Sequence, residues 1–148
     1  MVRVIATGVF DILHPGHLHF LEEAKKLGDE LIVVVARDET VRRSKHNPIM
    51  SEEVRRRMVE ALKPVDKAVL GYVDDKYRIM EELKPDIIVL GYDQPFSEEE
   101  IRREMEKRGL RVSVVRLGHY NSDINGTRKI IYRIAERLER NDLYGGEK

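Results

Sequence analysis

Residues 6 to 28 read ATGVFDILHPGHLHFLEEAKKLG, an apolar strand end that passes through Gly8, Asp11 and two histidines into an amphipathic run. Pro15 suits a first helical position, where its missing N–H costs nothing, and it biases His14 toward an extended, capping conformation. A helix therefore starts inside His14-Pro15-Gly16-His17. Gly16 has no side chain to block an anion, and the N–H groups and dipole at this end favour negative charge. His14 and His17 flank the same spot. They can donate hydrogen bonds to phosphate oxygens in a transition state, stabilisation worth roughly 2.7–4 kcal/mol per donor. Gly8 allows close approach by a flat base or ribose, and Asp11 can orient a metal or an incoming cationic group. Two histidines alone fall short of the three or four ligands of a zinc site. Taken singly, Gly8 is a structural glycine and Asp11 a turn or cap residue; the combination points to a phosphate.

The rest of the chain supplies a frame for that loop. Short apolar runs rich in β-branched residues, at 2–7, 31–36, 68–70, 87–90 and 112–117, predict strands buried on both faces. Helical spacing lies between them. Leu18, Leu21, Ala24 and Leu27 repeat up to Gly28, a predicted C-cap; Val54, Met58, Ala61 and Leu62 follow the predicted N-cap Ser51. Ile79, Met80 and Leu83 precede Pro85, Ile101 and Met105 precede Gly109, and 130–138 form a closing amphipathic helix. Alternating strands and helices imply right-handed crossovers and a doubly wound, Rossmann-like parallel α/β sheet of about five strands, one domain over 1–148. Ligands bind such sheets beyond the carboxyl ends of the strands, where strand order reverses. The loops following the first strand (8–17) and the fourth (91–95) are the predicted crevice.

Composition removes several functions. The chain has 148 residues, 41% hydrophobic and 36% charged, with 27 basic residues against 27 acidic ones, so no net field draws nucleic acid or an anionic membrane. With no cysteine, disulfides, iron–sulfur clusters and thiol nucleophiles are excluded. No apolar run approaches the ~20 residues of a membrane span. The expectation is a soluble cytoplasmic protein that binds anions through local groups.

Gly8-Val9-Phe10-Asp11 followed by His14-Pro15-Gly16-His17 resembles the G-[TV]-F-D-x-x-H-x-G-H signature of the cytidylyltransferase-like nucleotidyltransferases. The resemblance implies transfer of a nucleoside monophosphate from an NTP to a phosphorylated acceptor. The transfer is an in-line displacement that releases pyrophosphate, assisted by a divalent cation, usually magnesium, with Asp11 its candidate ligand. It places His14 and His17 along the α- and β-phosphates, with Thr7, Gly8, Val9, Phe10, Gly16, Gly91 and Asp93 around the nucleotide. Arg55 is, by itself, one arginine on a charged helix; it occupies the position of the family's arginine that reaches the phosphates. Lys45, in the basic segment 42–47, stands where relatives carry a mobile lysine-bearing loop, and a solvated loop is the alternative. The family's second signature, I-S-[ST]-[ST]-x-[IL], is altered here to INGTRKI, 124–130. Thr127 survives, while Asn125 and Gly126 replace hydroxyl residues. Asn125, Gly126, Thr127 and Arg128 remain candidates for the β- or γ-phosphate.

Three further stretches, VVVARDETV (33–41), MVEALKPVDKAVLG (58–71) and LKPDIIVLGYDQPF (83–96), are most similar to the archaeal FAD synthetases. That implies ATP and FMN as small-molecule substrates, with Asp11, Asp38 and Tyr120 toward the acceptor and a homodimer as the assembly. Tyr92, Tyr120 and Phe96 are candidates to stack on an isoalloxazine ring. Glycerol-3-phosphate cytidylyltransferase is the alternative activity, and a non-catalytic nucleotide-binding module the alternative class.

Overall fold

The computed structural model describes residues 1–44, 46–120 and 126–141. Strands β1 (Arg3–Gly8), β2 (Glu30–Val35), β3 (Lys67–Leu70), β4 (Ile87–Leu90) and β5 (Ser113–Arg116) alternate with helices α1 (Pro15–Lys25), α2 (Asp38–Arg43), α3 (Glu52–Glu60), α4 (Arg78–Leu83), α5 (Glu98–Lys107) and α6 (Thr127–Glu139). All the pairings are parallel and the order is β3-β2-β1-β4-β5. The chain moves outward from β1 through β2 to β3, then returns to lay β4 on the other side of β1. The switch point is thus the gap between the carboxyl ends of β1 and β4, at the two loops the sequence indicates.

Both faces of the sheet are covered, which is why its strands are continuously apolar. Val4, Ala6, Leu31 and Val33 pack against Leu21 and Ala24 of α1 and Val59 of α3. Ile5, Ile32, Ile88 and Leu90 pack on the opposite face against Ile79 and Met80 of α4 and Ile101 and Met105 of α5. Local signals set the helix ends. Ser51 Oγ accepts from Val54 N at 3.4 Å. Gly109, at φ +79°, closes α5 with a Schellman pair: Leu110 N donates to Met105 O and Gly109 N to Glu106 O. No helix among the described residues is long and apolar enough to cross a membrane.

Three local expectations are corrected. Gly28 is not a left-handed C-cap: α1 ends at Lys25, Lys26 is the cap, and Gly28 has no positive φ. A Cβ there would stand 2.7 Å from Val4 Cγ2 and 2.8 Å from Val2 O, so glycine is required by close packing on β1. In α3 the apolar spacing misassigns the inner face, because Val54 and Met58 are exposed while Arg55 and Val59 are buried. Arg55 turns inward because it finds polar partners there. The closing helix α6 forms, yet it buries no residue, and Ile131, Ile134 and Leu138 stay exposed. Helix α2 had no apolar periodicity to announce it; it carries one buried residue, Val41.

Gly28→Ala is expected to destabilise the chain by about 1–3 kcal/mol, the cost of overpacking a filled contact. The midpoint of urea unfolding measures it, and an unchanged midpoint contradicts the packing role.

Candidate active site

Between β1 and α1 the backbone is strained. Phe10 (φ 55°) and Ile12 (φ 51°) are both left-handed, a conformation that costs a β-branched residue such as Ile12 of order 1–3 kcal/mol. Three attachments hold it. The Phe10 ring is buried and occupies the space over Gly8, where a Cβ would come within 2.9 Å of Phe10 Cε2. Gly8 therefore makes room for this chain's own ring. The Asp11 carboxylate accepts from Ile49 N at 2.7 Å and Met50 N at 3.0 Å, tying the loop to the entry of α3. The Asp11 carbonyl accepts the Thr127 hydroxyl at 2.7 Å, which brings the start of α6 to the same place.

The histidines close the first turn of α1. His14 is its N-cap, extended at φ −144° and ψ 172°, and Pro15 is the first helical residue. His14 Nδ1 accepts from Gly16 N at 3.0 Å, and His17 Nδ1 accepts from His14 N at 3.3 Å. This is a capping box built from imidazoles. An Nδ1 that accepts cannot carry the proton of a neutral ring, so each ring is the Nε2–H tautomer and has one donor to offer. The rings lie 3.8 Å apart. Burial pushes His17 down to about 3, with the neighbouring His14 adding to the effect, and burial lowers His14 as well. Two uncharged donors thus flank the amino end of α1.

Around them stand the other candidates. Gly126 caps α6, with no side-chain hydrogen bond to the cap among the described residues, and the Thr127 contact sets this helix amino end beside Asp11. Thr127 has committed its hydroxyl proton to Asp11, so it can donate to a phosphate only through its N–H. Arg128 follows on the exposed side. Lys45 and Asn125 lie outside the described residues. Gly91 opens the loop after β4, which Asp93 and Tyr92 expose to solvent. Tyr92 meets His119 edge-on at 4.4 Å, and Tyr120 stacks on His19 at 4.7 Å, so these aromatics lie against α1 and the segment after β5.

Among the described residues Arg55 is the largest fully buried side chain. Its Nε donates to Met50 O at 2.9 Å, Nη1 to Val9 O at 2.9 Å and Ala36 O at 2.7 Å, and Nη2 to Asp38 Oδ1 at 2.7 Å. In place of phosphates it grips the backbone just beyond β1 and β2. Asp38 is its counter-ion: burial pushes that carboxyl up, but the Arg55 hydrogen bond leads a set of contacts that hold it below its ordinary value. The side chain of Asp11 is likewise spent on backbone donors. Among the described residues no group of three or more histidine and carboxylate side chains could hold a metal ion.

Two further residues shape the crevice. Gln94 Oε1 accepts from Gly91 N at 2.6 Å and its Nε2 donates to Thr7 O at 3.3 Å, bridging β4 to β1 across the switch point. Arg116 gathers the same loop, donating to Gly91 O at 2.9 Å, Gln94 O at 3.0 Å and Phe96 O, with Glu98 as counter-ion. The sequence held one signal for the first of these: Gln94 is the chain's single glutamine and lies in a predicted crevice loop.

A parallel sheet whose switch point carries two helix amino ends and a pair of neutral imidazole donors defines a nucleotide-phosphate-binding α/β protein. The chain matches the cytidylyltransferase-like family over residues 5–142 and belongs to it. It is 65% identical to the FAD synthase of Aciduliprofundum boonei, over 100% of this chain and 99% of that one. It is 54% identical to the FAD synthase of Archaeoglobus fulgidus, over 96% and 99%. Among solved structures, a lipopolysaccharide core biosynthesis protein from Thermoplasma volcanium superposes with a TM-score of 0.80 at 53% identity, covering 82% of this chain and 99% of that one. Thermotoga maritima TmcAL, bound with alpha-thio ATP, shares the fold at a TM-score of 0.70 and 13% identity, over 94% of this chain and 52% of that one.

The His17 shift has a consequence for stability. Unfolded, this ring takes up a proton near its ordinary pKa of 6.5; folded, only near about 3. The unfolded state thus binds more protons between those values, so the stabilisation is complete above pH 6.5 and is lost as pH falls toward 3. Urea unfolding at stepped pH is expected to show His17→Gln losing less stability over this window than the parent. Parallel curves contradict the assignment.

Proposed function

We propose that the chain is an FAD synthase, transferring AMP from ATP to FMN and releasing pyrophosphate. The observation that carries this reading is the 65% identity to a named FAD synthase along the whole of both chains. The site supplies a matching chemistry. A phosphate oxygen of FMN attacks the α-phosphorus of ATP, the bond to the bridging oxygen of the β-phosphate breaks, and its electron pair leaves with pyrophosphate. The acceptor needs no general base, because a phosphate monoester with a second pKa of ~6 is already anionic at neutral pH. Catalysis then rests on position and on donors aimed where negative charge grows.

In this reading Nε2–H of His14 and of His17, at the positive end of the α1 dipole, receive the α- and β-phosphates. The nucleotide runs along Thr7 to Phe10, over Gly16 and beside Gly91 and Asp93, and the entrance of α6 receives the outer phosphates with Arg128. Lys45 adds charge from the segment before α3. Arg55 acts by positioning, holding the carbonyls of Val9 and Ala36 in place through its Asp38 ion pair. A divalent cation such as magnesium supplies charge neutralisation for the triphosphate. The chain offers it no cage among the described residues, and phosphate oxygens and water are its customary ligands, with at most a lone pair of Asp11 added. A homodimer is part of the same proposal.

The test is a matrix of ATP and CTP against FMN, glycerol 3-phosphate and a sugar phosphate, read by pyrophosphate release with magnesium present. FAD formation from ATP and FMN is expected to dominate, and His14→Ala and His17→Ala are each expected to lower turnover by about 10²-fold or more. Efficient CTP turnover with glycerol 3-phosphate, and none of ATP with FMN, overturns the acceptor. Near-normal rates in both variants overturn the role of the imidazoles.

A further inference from the structure

Next to the histidine loop, but on the other face of the sheet, lies a cavity of about 410 Å3. Its floor is the upper end of the second core cluster, with Val34, Ile88, Leu90 and Met80 among the lining side chains. Tyr77 and Phe96 stand at its sides, and Lys76 marks the mouth, its Nζ 4.2 Å from the centre of the Phe96 ring. One wall is the backbone of Gly8 and Val9, the segment that turns into the histidine loop. From the other side that segment is covered by Phe10, which packs in the first core cluster and touches the His17 ring at 5.5 Å between centroids.

We infer that this cavity is the acceptor subsite, that it takes the planar tricyclic isoalloxazine ring of FMN, and that Tyr77, Phe96, Lys76 and Thr40 determine specificity for it; the inference rests on the FAD synthase reading. Ligand cavities commonly span roughly 300–1,000 Å3, mostly apolar with a few placed polar groups, and this one has that size and character. A fused aromatic system with two apolar faces matches a floor of aliphatic side chains flanked by aromatic ones. Its carbonyl-bearing end needs donors, which the Lys76 ammonium and Thr40 hydroxyl provide at the rim. Gln94, whose amide is fixed by Gly91 N and Thr7 O, keeps a second Nε2 proton as a further donor. A glycerol phosphate would leave the apolar floor wet, so the cavity favours a flat hydrophobic acceptor.

The placement also answers the demand of in-line displacement that attacking and leaving oxygens lie on opposite sides of the α-phosphorus. With the ring on the α4 and α5 face, its ribityl phosphate reaches the reacting centre past Gly8 and Val9. The triphosphate occupies the α1 side. The two substrates then meet across the end of β1 without competing for space.

Steady-state kinetics on the full chain test the assignment. Phe96→Ala is expected to raise the KM for FMN tenfold or more while leaving the KM for ATP within about twofold. Phe96 also packs against the core, so Ser44→Trp, an exposed rim residue where added bulk blocks the opening, gives a second probe and the same pattern is expected. Riboflavin, which has the ring without the phosphate, is expected to compete with FMN and not with ATP. If the parent forms FAD but neither variant moves the KM for FMN, or if riboflavin competes with ATP instead, the subsite is overturned and the activity stands. A parent that forms no FAD from ATP and FMN overturns both.

Discussion

Each of the two imidazoles spends Nδ1 on the backbone of its own turn, and that commitment organises the crevice around it. It starts α1 at a fixed residue, because the cap His14 accepts the N–H of Gly16 ahead of it and the third helical residue, His17, accepts the N–H of His14 behind it. It fixes the tautomer, so that the remaining ring proton sits on Nε2. Burial then keeps the pair uncharged at neutral pH. An ammonium or guanidinium at this point would attract an anion more strongly in the ground state. A neutral donor of set orientation instead gains strength as charge develops, and this favours the transition state over the bound substrate.

Preorganisation of that kind needs a rigid surround, and the chain builds it by turning polar side chains onto its own backbone. Asp11 holds two N–H groups before α3, Arg55 holds carbonyls beyond β1 and β2, Gln94 joins β4 to β1, and Arg116 collects the loop after β4. Each is a long-range contact that converts a loop into part of the frame. The left-handed Phe10 and Ile12 persist because these contacts over-determine the segment. A net charge of zero leaves any attraction for an anion to local groups, here the positive ends of the α1 and α6 dipoles and the two Nε2–H donors.

The strands and the switch-point loops were legible because burial on both faces leaves an uninterrupted apolar run, a signal needing no knowledge of partners. The histidine stretch was legible because Pro15 and Gly16 make sense at a helix entrance and two imidazoles make sense beside an anion. What stayed hidden depends on residues far apart in sequence. Arg55 turns its helix against the apolar pattern of Val54 and Met58, and only the carbonyls of Val9 and Ala36 explain why. Gly28 looked like a cap because its true constraint is the methyl of Val4 across the layer. The tie from the Asp11 carboxylate to the N–H groups of Ile49 and Met50 spans nearly forty residues and has no local signal, and the cavity beside Gly8 arises only once β2, β4 and α4 converge.

The most direct measurement is the nitrogen-15 spectrum of the imidazole rings, recorded at neutral pH with and without a non-hydrolysable ATP analogue and magnesium. The imidazole capping requires that His14 and His17 are both neutral with the proton on Nε2, and that the analogue shifts both Nε2 signals while the Nδ1 nitrogens keep their acceptor character. A proton on Nδ1 of either ring, or Nε2 signals that ignore the nucleotide, contradicts it.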